Sequence, residues 1–440
     1  MTSQNPDALS SANLEFASRY AGDRPARQPV HTVYGGGHLF RADTAPRLGA
    51  AARRALAEFA PGPPDLTSAL GVPPALAERV YGLIVDKLTR EPVEDFRIDF
   101  EDGYGNRPDD EEDAHAAKAA TEVAQGIRDG TVPPYLGIRI KPLNEELRRR
   151  SLRTLELFVE ALVAGGGLLP ANFTVTLPKV TIPEQVKHAV GALTALEARL
   201  GLPERAVSLE IMVETPQAIL DGAGRCPLLA IVAAGAGRVR GAHFGTYDYT
   251  AGLTITAAYQ RMRHPACDFA KHMMQVALAG SGVWLSDGAT GIMPVPLHRA
   301  EALTPAQVAE NRASVHRAWK LHYDDARRSL EGGFYQGWDL HPAQLPTRYA
   351  AVFTFFIEGL DAAAERLRNF VSKAAQATLV GDVFDDAATG QGLLNYFLRG
   401  VNSGAIAEAD AASMTGLTLD ELAGRSFVRI LKSRTDARAS

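Results

Sequence analysis

Eight short apolar or β-branched runs recur between residues 29 and 341 of this chain, and enough residues for a helix separate each from the next. They are PVHTVY (29–34), DFRIDF (95–100), LGIRI (136–140), FTVTL (173–177), VSLEIMV (207–213), RGAHFG (240–245), GVWLS (282–286) and GWDLH (337–341). Intervening stretches such as RRRSLRTLELFVEALVAG and IPEQVKHAVGALTALEARLG place apolar residues three and four positions apart and end in Gly. That is the pattern of amphipathic helices stopped by a glycine cap. Strand, crossover helix and strand in alternation predict a parallel sheet. Eight such units over residues 27–348 predict an α/β fold, the (β/α)8 barrel, which is built from ~250 residues and tolerates insertions. An open doubly wound sheet is the alternative. YGGGHLF, at the first run, has glycines but lacks the spacing of a dinucleotide-binding turn.

Beyond residue 348 the strand signal stops and helical patterns take over, in AVFTFFIEGLDAAAERLRNFVSKAAQ, GQGLLNYFLRGV and TLDELAGRSFVRILKS. Three parts are expected: an N-terminal extension (1–26), a catalytic barrel (27–348) and a C-terminal helical cap (349–440). With 440 residues, 46% of them hydrophobic, the chain can bury a full core. A formal charge of -5 gives no general attraction to nucleic acid or to an anionic membrane. Cys226 and Cys267, the only cysteines, are too few for a disulfide framework or a thiolate metal site and suit a reducing compartment. The N-terminus lacks a basic region followed by an apolar stretch, and no run is long enough to span a membrane, so a soluble, cytoplasmic protein is expected.

A barrel of this kind builds its site where the strands end. Glu101 and Asp102 follow the second run, in DFEDGYG; Arg139 lies in the third, with Lys141 after it. Lys179 follows the fourth, Glu214 the fifth and Asp248 the sixth, and His341 ends the eighth. Oxygen-rich sets suit Mg²⁺ or Mn²⁺, and Mg²⁺ takes one or two protein carboxylates and completes its octahedron with water and substrate. Glu214 and Asp248 fit that role. For Glu101 and Asp102 the competing reading is a solvated turn.

IMVETPQAI (211–219) and HFGTYDYTAGL (243–253) resemble the metal-binding strand ends of the superfamily that contains the HpcH/HpaI aldolases, the citrate lyase beta subunits and the malate synthases. DFEDG (99–103), IRIKP (138–142), LPKV (177–180) and DLHPAQLP (339–346) resemble further motifs of it, in order, and FDDAATGQGLLNYFLRG (384–400) resembles the malate synthase loop with the catalytic aspartate. The resemblance implies Mg²⁺ on Glu214 and Asp248 and an Arg139 guanidinium facing substrate oxygens. It implies an acid/base at Asp386, with Asp382 and Asp385 as neighbouring competitors. Glu101 and Asp102 would stand behind the metal, and Lys179, Gly245 and Thr246 would contact substrate. The implied reaction makes or breaks a carbon–carbon bond beside a carbonyl, through an enolate, on a small 2-oxo or 2-hydroxy acid. An acyl-CoA thioester would be the partner substrate and a homo-oligomer the expected assembly. An aldolase using no coenzyme A is the alternative, and a partner-dependent binding subunit a third.

Other residues have plainer readings. Lys141 reads as a surface or pairing residue, Asp287 as a turn residue or substrate contact, and His341 as a hydrogen-bonded histidine before Pro342. His31 and His38 read as structural. Gly35, Gly36 and Gly37 make a tight loop or a close approach of backbone to substrate. The acids of RPDDEEDAH (107–115) read as a solvated helix start.

Overall fold

The computed structural model describes residues 6–22, 24, 26–166, 169–372, 378–380, 383–385, 387–424 and 430. Eight parallel strands close into a barrel in the order of the sequence. They are β1 (His31–Gly36), β2 (Asp95–Asp99), β3 (Tyr135–Arg139), β4 (Phe173–Leu177), β5 (Ser208–Val213), β6 (Val239–Phe244), β7 (Trp284–Ala289) and β8 (Gln336–Asp339). Closure comes from β1 pairing with β8, His31 against Gly337 and Val33 against Asp339. Every expected run carries a strand, whose ends lie within three residues of the expected ones.

Helices wrap the barrel, and their apolar faces supply most of the core, as in Val80, Ile84 and Leu88 of Pro74–Arg90 and Leu155, Phe158 and Leu162 of Arg148–Gly166. The strands contribute their outward residues to that layer: on β2, Phe96 and Ile98 are buried against the helices. Their alternating partners, Asp95, Arg97 and Asp99, point into the barrel, because successive side chains of a strand face opposite ways. The barrel interior is therefore charged. Arg97 pairs with Asp95 at 2.5 Å and Glu210 at 2.6 Å, and His243 Nε2 lies 3.4 Å from Glu210.

The helix Leu345–Glu358 runs unbroken across residue 348 and packs on the helices Pro305–Glu331 and Pro74–Arg90. Farther on, Arg399 donates to Gln28 at 2.5 Å and stacks 4.8 Å over the Tyr335 ring. Both lie where strands begin, at the end of the barrel opposite the mouth. Among the described residues, no helix is long and apolar enough to cross a membrane.

Candidate active site

At the end of β2, Asp99 accepts the backbone N–H groups of Glu101 (3.0 Å) and Gly103 (2.7 Å), which folds DFEDG into a tight turn. A side chain at Gly103 would collide with the same carboxylate, its Cβ 2.6 Å from Asp99 Oδ2. Across the sheet, Asp99 pairs in register with Arg139. The guanidinium forks onto it, Nε to Oδ1 at 2.7 Å and Nη2 to Oδ2 at 2.6 Å, the bidentate geometry that fixes a planar cation most firmly. Its remaining nitrogen, Nη1, lies 3.0 Å from Glu101 and 3.9 Å from Asp102. Tyr34 and Trp338, stacked on each other, hold the other side of Arg139, with the guanidinium 4.9 Å and 5.9 Å from their ring centres. These contacts keep Arg139 charged and immobile; Asp99 raises its pKa well above the usual value although burial alone would lower it.

Lys179 follows β4 and adopts a left-handed backbone, with φ 51°. That conformation turns its N–H onto Glu214 Oε1 at 2.7 Å. The ammonium contacts Glu101 closely, Asp102 at 3.3 Å and Asp248 at 3.5 Å. Glu214, after β5, is buried, and Asp248 enters from the short helix Thr246–Gly252 after β6. Burial, and then the nearby Asp248 charge, push the Glu214 carboxyl up to about 8. Gly245 is required here, since a Cβ on it would sit 2.3 Å from Glu214 Oε2.

A cavity of about 490 Å³ opens on this group and is lined by Asp99, Asp102, Arg139, Glu214, Thr246 and Asp248, with Tyr34, Trp338 and Leu340 on its apolar side. A second, of about 360 Å³, meets it at Asp102 and is bounded by Glu101, Lys141 and Lys179. The structure thus brings together Glu101, Asp102, Arg139, Lys179, Glu214, Gly245, Thr246 and Asp248. Asp386 lies outside the described residues, as does Asp382; Asp385 belongs to a short hairpin strand.

Model searches with the sequence match a family described as a domain of unknown function, DUF6986, over residues 9–430. The chain belongs to the DUF6986 family. No curated protein matches it. Among solved structures, this DUF6986 protein is similar to a citrate lyase from Burkholderia xenovorans LB400, 19% identical, with a TM-score of 0.56 over 90% of this chain and 99% of that one. CitE from Mycobacterium tuberculosis, in complex with magnesium, acetoacetate and coenzyme A, aligns at 17% identity and a TM-score of 0.47 over 87% and 100%. A Haloferax volcanii malate synthase aligns at 15% and 0.46, over 90% of each chain. At 19% identity, the likeness to the Burkholderia structure bears on the fold alone of the DUF6986 protein.

Several residues of the DUF6986 chain prove structural. His31 is buried, 2.9 Å from Asp339, and accepts the Glu94 N–H. His341 Nδ1 caps the turn at Ala343 N. Asp287 faces the helices, taking Lys271 at 3.1 Å and the Ser329 hydroxyl at 2.6 Å. Lys141 is a pairing residue but a buried one, 2.8 Å from Glu112. Glu112 corrects the reading of RPDDEEDAH as wholly solvated: this fourth acid is fully buried, held by Lys141 and the Thr154 hydroxyl. At Gly36 the structure shows loop packing, since a Cβ there would lie 2.5 Å from the Gly103 carbonyl oxygen.

Three site residues escaped the sequence reading: Asp99, Tyr34 and Trp338. The available signal was the alternation in DFRIDF, where every second residue is charged. A strand with charges on one face and Phe, Ile, Phe on the other, inside a barrel wrapped by helices, turns the charges inward.

Proposed function

We propose that this protein is a Mg²⁺-dependent enzyme, with Mn²⁺ as a substitute, that makes or breaks a carbon–carbon bond beside the carbonyl of a small 2-oxo or 2-hydroxy acid. An acyl-CoA thioester is the proposed second reactant. One observation carries the reading: a clamped, permanently charged guanidinium shares a cavity with two carboxylates that repel each other. Arg139 cannot turn away to solvent, and Glu214 beside Asp248 is costly to keep ionised without a further cation.

The donor set fits a hard divalent ion. Both oxygen ligands are carboxylates that follow adjacent strands, Glu214 after β5 and Asp248 in the helix after β6. Among the described residues, no group of three or more His, Cys, Asp or Glu side chains is arranged to hold a metal, so most of the shell would be water or substrate, the habit of Mg²⁺. Glu214 and Asp248 would hold the ion, which when bound supplies Lewis acidity and a template for the acid's oxygens. Arg139 supplies fixed positive charge where an enolate oxygen develops, at no reorganisation cost because Asp99, Tyr34 and Trp338 already set its position. Trp338 and Leu340 give that side of the cavity an apolar wall. On the resemblance of its loop, Asp386 is assigned the proton transfer at the carbon nucleophile.

Purified protein with MgCl₂, glyoxylate and a panel of acyl-CoA thioesters should release free thiol, and chelation should stop it. Thiol release that persists unchanged in EDTA, or that Glu214→Gln leaves intact, would overturn the metal reading; activity on oxo acid and aldehyde without thioester would redirect it to an aldolase.

A further inference from the structure

Lys179 stands out in the site on two independent grounds. The first is its backbone. Left-handed φ is glycine's territory, and twelve described glycines occupy it against four other residues, of which Lys179 is one. A glycine there would deliver the same N–H to Glu214, since φ and not the side chain aims it. A lysine in a conformation that costs energy points to a use for its side chain.

The second ground is where that side chain goes. The ammonium bridges three carboxylates from two sides of the mouth: Glu101 and Asp102 after β2, and Asp248 after β6. Asp248 is one of the two oxygens proposed for the metal, and Lys179 Nζ is 3.5 Å from it. The five acids Asp99, Glu101, Asp102, Glu214 and Asp248 face two cations, Arg139 and Lys179, and Asp99 engages Arg139 by both oxygens. Among the described residues, Lys179 is the cation that makes ion pairs both with the β2 acids and with Asp248. Its side chain is 29% exposed on a flexible stem, whereas Arg139 is 5% exposed and held at both ends of its fork by Asp99.

We propose that Lys179 is the site's internal counter-cation: it holds Asp248 and the β2 carboxylates when no divalent ion is bound, and it yields Asp248 when one binds. This rests on the metal reading above. The lysine therefore competes with the ion it makes room for, weakening binding so that loading and release stay reversible. Once displaced toward Glu101 and Asp102, at the junction of the two cavities, the ammonium meets whatever anionic group a substrate brings to the smaller one. Charge on the lysine is what matters, since two cations on one carboxylate repel each other and each weakens the other's hold.

The test is calorimetric titration of the full-length protein with MgCl₂. Lys179→Gly suits the left-handed backbone and removes the ammonium; Lys179→Met removes the charge and keeps the stem; Lys179→Arg keeps the charge. Glycine and methionine variants should bind Mg²⁺ at least about tenfold more tightly than wild type, and the arginine variant within about threefold of it. In wild type, the Lys179 Nζ resonance of ¹⁵N-lysine-labelled protein should shift with the same saturation as the calorimetric curve. Wild-type binding that depends on Glu214 but is unchanged or weakened in the glycine and methionine variants would overturn the proposal and leave the metal reading standing. So would an Nζ resonance that ignores Mg²⁺. Binding by neither wild type nor variants would overturn both.

Discussion

Two groups of buried charge sit at strand ends of the same barrel, and they behave differently. At the end of β8, Asp339 is ringed by donors: His31 Nδ1 and His322 Nε2 at 2.9 Å, and Arg348 Nη2 at 2.8 Å. The second nitrogens of both histidines are also engaged, by the Glu94 N–H and the Thr347 hydroxyl. Arg348 and the histidines hold the Asp339 carboxyl well below its usual range despite its burial. Asp339 lines neither cavity at the mouth. The mouth cluster also sets an arginine on an aspartate but leaves acids in excess, a lysine in a left-handed backbone, and a cavity of about 490 Å³ against them. A buried charge enclosed by partners stabilises one arrangement of the chain. Charge left over beside a cavity costs stability and waits for a ligand.

Breaking the closed group should have the largest effect. Asp339→Asn strands the Arg348 charge, and urea denaturation should show a loss of about 3–5 kcal/mol, the cost of removing one partner of a buried pair. Because the Asp339 pKa is depressed in the folded state, its contribution is present above the ordinary carboxylate range and is lost as pH falls. A variant as stable as wild type would erase the contrast between the two groups.

Glu214→Gln should do the reverse. The folded-state pKa is raised from 4.5 to about 8, so the metal-free protein is stabilised at low pH and loses that stabilisation as pH rises through this window. At pH 8 without metal, the Gln variant should equal or exceed wild type, by on the order of 1–3 kcal/mol, and lack that part of the pH slope. It should also lose Mg²⁺ binding in calorimetry. A destabilised Gln variant would place Glu214 with Asp339 among the structural charges.

Arg139→Lys sharpens the comparison within the mouth. A flexible ammonium cannot reproduce the forked contact with Asp99 while facing substrate. In the proposed thioester reaction, kcat/KM should fall by more than about tenfold, ~1.4 kcal/mol. Near-normal kinetics in the lysine variant would remove Arg139 from the reaction.

The smallest effect on folding should come from Asp102→Asn. Its side chain is 62% exposed, and denaturation should move by no more than about 0.5 kcal/mol. A larger loss would show that the β2 turn depends on this charge.

The barrel was legible because eight β-rich runs and their helical spacers are local patterns, and closure follows from their number and parallel sense. Glu214, Asp248, Arg139 and Lys179 were legible as candidates for a related reason: in this fold the residue after each strand has a known destination. Those features the sequence determines by itself. Which charges meet which was decided only by the tertiary structure. Asp99 and Arg139 are 40 residues apart and become partners through strand register. Asp339 and His31 meet only because the barrel closes, across 308 positions of chain (339 minus 31). Nothing in DLHP distinguishes an aspartate enclosed by two histidines and an arginine from one aimed at a cavity, and nothing in LPKV announces a left-handed lysine. Local pattern sets direction and period; whether a buried charge is balanced depends on neighbours brought from distant strands, and that balance separates scaffold from site.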